Sequence, residues 1–188
     1  MKNFSKLALL ALFIASGTFV TSCSDDDKAA EPASLYAKLG GTTMVADPNN
    51  PGQMIEQGRL SYRSVVDSTI TLIVSDIVVG AEGNLGEHFA PVISEALSGN
   101  ATNVAILSDN LTDFFSANTG GGATNVYTGL DMVTAHDPAQ NPRMGKKSND
   151  KFIGYVGAAA GLNGVTDPAL INEVVAVLES LRAPIVQE

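Results

Sequence analysis

Tyr127-Thr128-Gly129-Leu130-Asp131-Met132-Val133-Thr134-Ala135-His136 is the stretch on which the fold reading turns. A helix through its second half places Val133 three, Met132 four and Leu130 six positions before His136, which gathers much of this apolar set towards one side. A histidine at the end of such a segment has two explanations. Backbone carbonyls and the helix dipole can satisfy it, or it can ligate a metal. His136 and His88 are the only histidines and Cys23 the only cysteine, so a multi-His zinc or iron centre and a Cys-rich site are poorly supported.

Helical text surrounds this stretch. Asp167 is a cap candidate, Pro168 suits the first helical position, and Leu170, Ile171, Val174, Leu178 and Leu181 recur at helical spacing until Pro184. Residues 149–162 predict another helix, with Phe152, Val156 and Ala159 on one face and Gly154, Gly157 and the alanines admitting a close neighbour. Residues 103–115 predict a third, with Val104, Leu107, Leu111 and Phe114 on one side. The glycines after Thr119 read as a loop, since no Lys-Ser/Thr follows to bind a nucleotide.

The segment 64–79 is ambiguous. Val65, Val66, Ile70, Ile73, Val74 and Ile77 fit a helical face, while the alternation of Ile70, Leu72 and Val74 and the β-branched load fit a strand. Residues 42–63 are turn-rich, with a short helix expected at 54–63.

Lys2 and Lys6 followed by the apolar run 7–20 read as a targeting segment too short for a membrane span. The run ends at Val20-Thr21-Ser22-Cys23, which resembles a bacterial lipobox and implies lipidation of Cys23. Residues 1–22 are then a lipoprotein signal and 23–33 a flexible acidic tether, opening with Ser-Asp-Asp-Asp. Residues 34–188 form one domain, long enough for a substantial core. The expected location is the cell envelope, lipid-anchored to the outer membrane. Loss of Lys2 and Lys6 with the signal takes the net charge from −9 to −11, which argues against a nucleic-acid partner. With an aromatic share of 6% and no Trp, the core is expected to be largely aliphatic.

Together with Ser34-Leu35-Tyr36-Ala37-Lys38-Leu39-Gly40-Gly41, the stretch 127–136 resembles the truncated (group 1) haemoglobins. Further blocks follow in the family's order: Val65-Val66-Asp67 at the start of its B helix, Phe89 where a phenylalanine packs on the haem, Phe114-Phe115 on its E helix, and Leu178 to Arg182 at the end of the last helix. The resemblance implies an all-α, two-over-two helical fold. It implies haem b held through His136, with Ile70, Phe89, Leu107, Leu111, Phe115, Tyr127, Met132 and Phe152 around it. The implied function is reversible binding of oxygen, nitric oxide or carbon monoxide. The alternatives are a haem-dependent nitric oxide dioxygenase or peroxidase-like enzyme fed by an unknown reductase, and a cofactor-free surface lipoprotein acting as a binding module.

The chain departs from the family in two respects. The stretches between Gly41 and Ser64, Phe89 and Phe114, and His136 and Phe152 are long, which fits surface insertions. The family's distal tyrosine and glutamine fall on Ile70, Leu107 and Leu111, so no hydrogen-bond donor for the gas is expected among them. His88 reads as a surface histidine in a loop-like stretch, Met144 as core filler, and Arg143, Lys146 and Lys147 as either propionate partners or a solvated basic patch. Asp137-Pro138 is expected to free a carbonyl that holds the second ring nitrogen of His136.

Overall fold

The computed structural model describes residues 31–83 and 85–187. The expected signal 1–22, Cys23 and the tether up to residue 30 lie outside the described residues. The described chain is all-α apart from one short ribbon. Its elements are α1 (Leu35–Lys38), β1 (Met44–Ala46), β2 (Met54–Glu56), α2 (Gln57–Val78), α3 (Gly86–Leu97), α4 (Thr102–Ser116), α5 (Met132–Ala135), α6 (Lys146–Leu162), α7 (Pro168–Ser180) and α8 (Arg182–Ile185). A π turn, Ala117–Gly121, prolongs α4. No helix among the described residues is long and apolar enough to cross a membrane.

The ambiguous segment 64–79 is helical. Tyr62, Val66, Thr69 and Ile73 are buried along one face of α2, and packing of that face outweighs the β preference of its branched residues. The hydroxyls that would compete with the helix are turned back onto it. Ser64, Thr69 and Thr71 donate to the carbonyls of Leu60, Val65 and Asp67 at 2.8–2.9 Å.

The short helix expected at 54–63 is corrected. Met54–Glu56 pairs antiparallel with Met44–Ala46, and α2 begins only at Gln57. The long stretch after Gly41 is therefore a hairpin, with Asp47 fixing its turn. The Asp47 N–H donates to the Gln53 carbonyl at 2.9 Å, and its carboxylate accepts from the Asn49 amide at 2.9 Å and from Arg63 of α2 at 3.1 Å. Hydrogen bonds, the largest from Asn50, outweigh burial and hold the Asp47 carboxyl down at about 2.

At the other end, Asp167 caps α7 by accepting from the Ala169 amide at 2.9 Å, with Pro168 at the first helical position as expected. Pro184 does not end that helix. α7 stops at Ser180, and Pro184 falls in the first turn of α8, where its missing N–H removes no helical bond. The close approach expected of Gly154 and Gly157 is also corrected. Nothing lies within 4 Å of a Cβ built on either, and Ala159 and Ala160 are the small residues buried in the packing.

α2 packs against α4 and α6, and α6 against α7. The main core is Tyr36, Tyr62, Val66, Phe115, Val156 and Leu178, while Ile73, Leu85, Ile93 and Tyr155 form a second cluster. Phe152 touches both. The core is thus more aromatic than composition suggests, because the few rings are concentrated in it.

Five rings run in sequence from α1 towards residue 127. Tyr36 and Tyr62 stack at 6.4 Å, Tyr62 and Phe115 at 5.7 Å, Phe115 meets Phe114 edge-on at 5.5 Å, and Phe114 meets Tyr127 edge-on at 5.2 Å. Tyr36 anchors the series. Its ring lies against Gly58 and Gly121, its hydroxyl donates to Glu56, and Asn125 Nδ2 donates to that hydroxyl at 3.0 Å. Burial first, and then the Glu56 contact, push the phenol up to about 12. A Cβ at position 58 would sit 2.8 Å from the Tyr36 ring. Gly58→Ala is therefore expected to lower the unfolding free energy by about 1–3 kcal/mol, the usual cost of overpacking, read as a lower urea midpoint at unchanged slope.

Candidate functional site

A cleft of about 320 Å³ opens between α4, the segment 127–136 and the start of α6. That volume lies in the range of small-molecule and cofactor sites. Phe89, Leu107, Leu111, Phe115, Tyr127, Met132, His136 and Phe152 all line it, so eight of the nine residues expected around the cofactor are brought together. The exception is Ile70, which packs on the main core instead. Tyr62, a tyrosine on the same helix, also faces that core and donates or accepts at Thr119 Oγ1 at 2.7 Å.

The segment 127–136 is a local device for presenting one imidazole. The Tyr127 hydroxyl donates to the Leu130 carbonyl at 2.7 Å, folding its ring across Gly129, where any Cβ would collide with it. Asp131 then caps α5, accepting from the Thr134 amide at 3.0 Å and the Thr134 hydroxyl at 2.7 Å. These bonds, the Thr134 hydroxyl foremost, hold the Asp131 carboxyl below its ordinary range.

The single turn of α5 brings the Met132 carbonyl to His136. It accepts from the His136 amide at 3.2 Å and lies 2.9 Å from Nδ1. A carbonyl can only accept, so Nδ1 is the donor, and the tautomer that makes this bond has its lone pair on Nε2. The carbonyl that holds the ring is therefore Met132's, four residues earlier, and not one freed by Asp137-Pro138. The expected helical gathering is partial. Leu130 and Met132 line the cleft, whereas Val133 is 66% exposed, because only residues 132–135 are helical.

Phe89 and Phe152 stack at 6.4 Å with planes 10° apart, closing one end of the cleft. His88 is not in a loop. It lies in α3, half-buried; burial pushes its imidazole below the usual range, against the pull of Glu87 and the Pro142 backbone. Met144 is buried, as expected of core filler, and also lines the cleft.

Two amides in the lining were not picked out from sequence, Asn110 on α4 and Asn149 on α6. Both were findable by helical spacing. Asn110 falls between Leu107 and Leu111, and Asn149 lies one turn before Phe152. Asn110 is exposed at the rim and Asn149 is buried. Among the described residues no Asp or Glu lines the cleft. Among the described residues no three His, Cys, Asp or Glu side chains converge on a metal-binding group.

No protein-family model and no curated protein matches this chain.

Asp131→Ala removes the α5 cap and is expected to destabilise that turn by about 1 kcal/mol. Hydrogen exchange at the Thr134 amide should accelerate several-fold while the amides of α2 stay unchanged; equal acceleration at both would contradict a local role.

Proposed function

We propose that the domain is a haem-binding globin of the truncated type, in which His136 Nε2 would hold the iron of haem b and the bound haem would take up a diatomic gas. The observation that carries the reading is the Met132 carbonyl on His136 Nδ1, 2.9 Å away, with the same ring in the wall of an aromatic-rich cleft. Iron ligands of this kind are oriented by such a bond, which fixes the tautomer and raises the basicity of the ligating nitrogen.

The residues present fit the group. A porphyrin needs a flat apolar slot with one nitrogen lone pair facing it, and Phe89, Leu107, Leu111, Phe114 and Phe152 supply apolar walls around the imidazole. The packing of α2 on α4 and of α6 on α7 supports placing these four helices as the two-over-two arrangement of that family. The order of the sequence blocks supports the same assignment.

Bound haem would supply an iron centre that binds oxygen, carbon monoxide or nitric oxide. The chain's own part is to hold that centre and to set the polarity beside the gas. Leu107 and Leu111 present no donor, and the Asn110 amide is exposed, where water competes for it. A polarised oxygen ligand is retained by preorganised donors in a dry site, so this cleft favours carbon monoxide and nitric oxide over oxygen. Retention of a lipid anchor on Cys23 would keep the domain at the outer membrane, on the lipobox reading alone.

The protein reconstituted with haem is expected to show an intense Soret band that is lost or strongly displaced in His136→Ala. A colourless wild-type protein under haem excess would end the proposal. Oxygen dissociation is expected to be fast in the wild type and about tenfold or more slower in Leu111→Gln, which puts a donor into the apolar wall. Slow dissociation in the wild type would contradict the apolar distal reading.

A further inference from the structure

The cleft wall is not equally well anchored along its length. α4 and α6 pack on α2, and α7 is fixed by Leu178, which is buried in the main core. Beyond Leu178 that anchorage ends. α7 stops at Ser180, Leu181 forms a turn, and α8 packs on α5 and α7 with none of its four residues fully buried. Leu181 and Ile185 nonetheless line the cleft, on the side of the turn that leads to His136.

What holds residues 181–187 closed is slight. A single helical turn has almost no stability of its own, and Pro184 has no N–H to add to it. One backbone bond crosses to the far side, from the Gln187 N–H to the Met144 carbonyl at 3.0 Å. One ion pair reaches α6, from Arg182 Nη2 to Asp150 at 2.8 Å, and the Asp150 side chain is 50% exposed. Exposed pairs of this kind contribute little. The Arg182 bonds to Glu179, both at 2.7 Å, join α8 to α7 and do not fasten it across the cleft. Against these stand two buried polar atoms, Arg182 Nη1 and Gln187 Oε1, with no partner among the described residues. A donor and an acceptor that lose water without gaining a partner disfavour the closed arrangement, and both recover water when the segment lifts. The segment therefore stands at the low end of local stability in the fold.

We infer that residues 181–187 are a gate, which swings at Leu181, lifts Ile185 out of the wall, opens the cleft beside α5 to an apolar occupant and closes over it. A gate differs from a fixed wall in its kinetics. Loosening it speeds entry and exit by the same factor and leaves affinity unchanged, whereas altering a fixed wall changes affinity through the exit rate. The inference stands on the cleft and the fastenings of the segment, whatever fills the cleft. On the haem reading the same movement admits the cofactor.

Gln187 and Asp150 fasten the segment, and neither lines the cleft. The test is stopped-flow binding of anilinonaphthalene sulfonate, a fluorescent apolar anion, to the haem-free full chain, beside hydrogen exchange. Gln187→Leu removes the orphaned acceptor and keeps the backbone bond. Dye entry and exit are both expected to slow about three- to tenfold in it, and exchange at the Val186 and Gln187 amides to slow with them. Asp150→Asn weakens the ion pair, and the same rates are expected to rise by about two- to fivefold. Dye affinity in both variants is expected to stay within about twofold of the wild type's, with exchange in α2 unchanged. Dye rates unaltered in Gln187→Leu, a change confined to dissociation, exchange at the Val186 and Gln187 amides no faster than in α2, or a wild-type cleft that takes up no dye would each overturn the gate. None of these outcomes touches the Soret band, on which the haem reading is decided separately.

Discussion

The placement of Tyr36 is the constraint on which the rest of the structure depends. Its ring occupies a slot beside Gly58 of α2 and Gly121 of the π turn, positions where a methyl group would collide with it. Its hydroxyl joins Glu56 and Asn125, so β2, the start of α2 and the loop after α4 are tied to one residue of a four-residue helix. Burial opposes ionisation of Glu56, but the bonds from Tyr36, Thr124 and Asn125, with Arg59 nearby, outweigh it and hold the carboxyl below its ordinary range. A short helix such as α1 has almost no stability of its own. It is stable because its single large ring closes a junction between distant segments.

From that junction the rings of Tyr62, Phe115 and Phe114 continue to Tyr127, the first residue of the segment that presents His136. The two sequence motifs are thus ends of one packed series. The opening motif sets the position of α4 relative to α2, and α4 in turn supplies the wall against which the second motif is laid. The imidazole itself is held locally, by the Asp131 cap and the Met132 carbonyl. Local bonds set its tautomer and angle, and the aromatic series sets where the whole segment stands. A cleft assembled this way can leave a polar donor unsatisfied at its inner wall, as at Asn149, because the surrounding packing over-determines the backbone there.

Much of this was legible because helical periodicity and capping are local. The expected helices at 103–115, 149–162 and from Pro168 appear within a few residues of their places, and Asp167 caps as its type predicts. The segment 64–79 was legible only in part. Its branched residues favour a strand on propensity, and the burial of Val66 and Ile73 that decides for a helix is a tertiary fact. The ribbon at residues 44–56 was hidden for a related reason. Each strand is three residues long, too short to show alternation, and its turn is set by a contact to Arg63 on another element.

Sequence alone determined the helices at 103–115, 149–162 and from Pro168, the Asp167 cap, and the residue types of the apolar wall, since spacing along a helix puts Leu107, Leu111 and Phe114 on one face whatever surrounds it. It also determined that one histidine stands at the end of a short turn. Tertiary structure decided which of the aligned residues meet. Ile70 went to the core while Asn110 and Asn149 entered the cleft, because the rotation of a helix about its axis is set by the neighbours it packs against. It decided, too, that the Nδ1 of His136 is occupied by the Met132 carbonyl, since a carbonyl's reach depends on where the turn closes and on nothing the residue names convey.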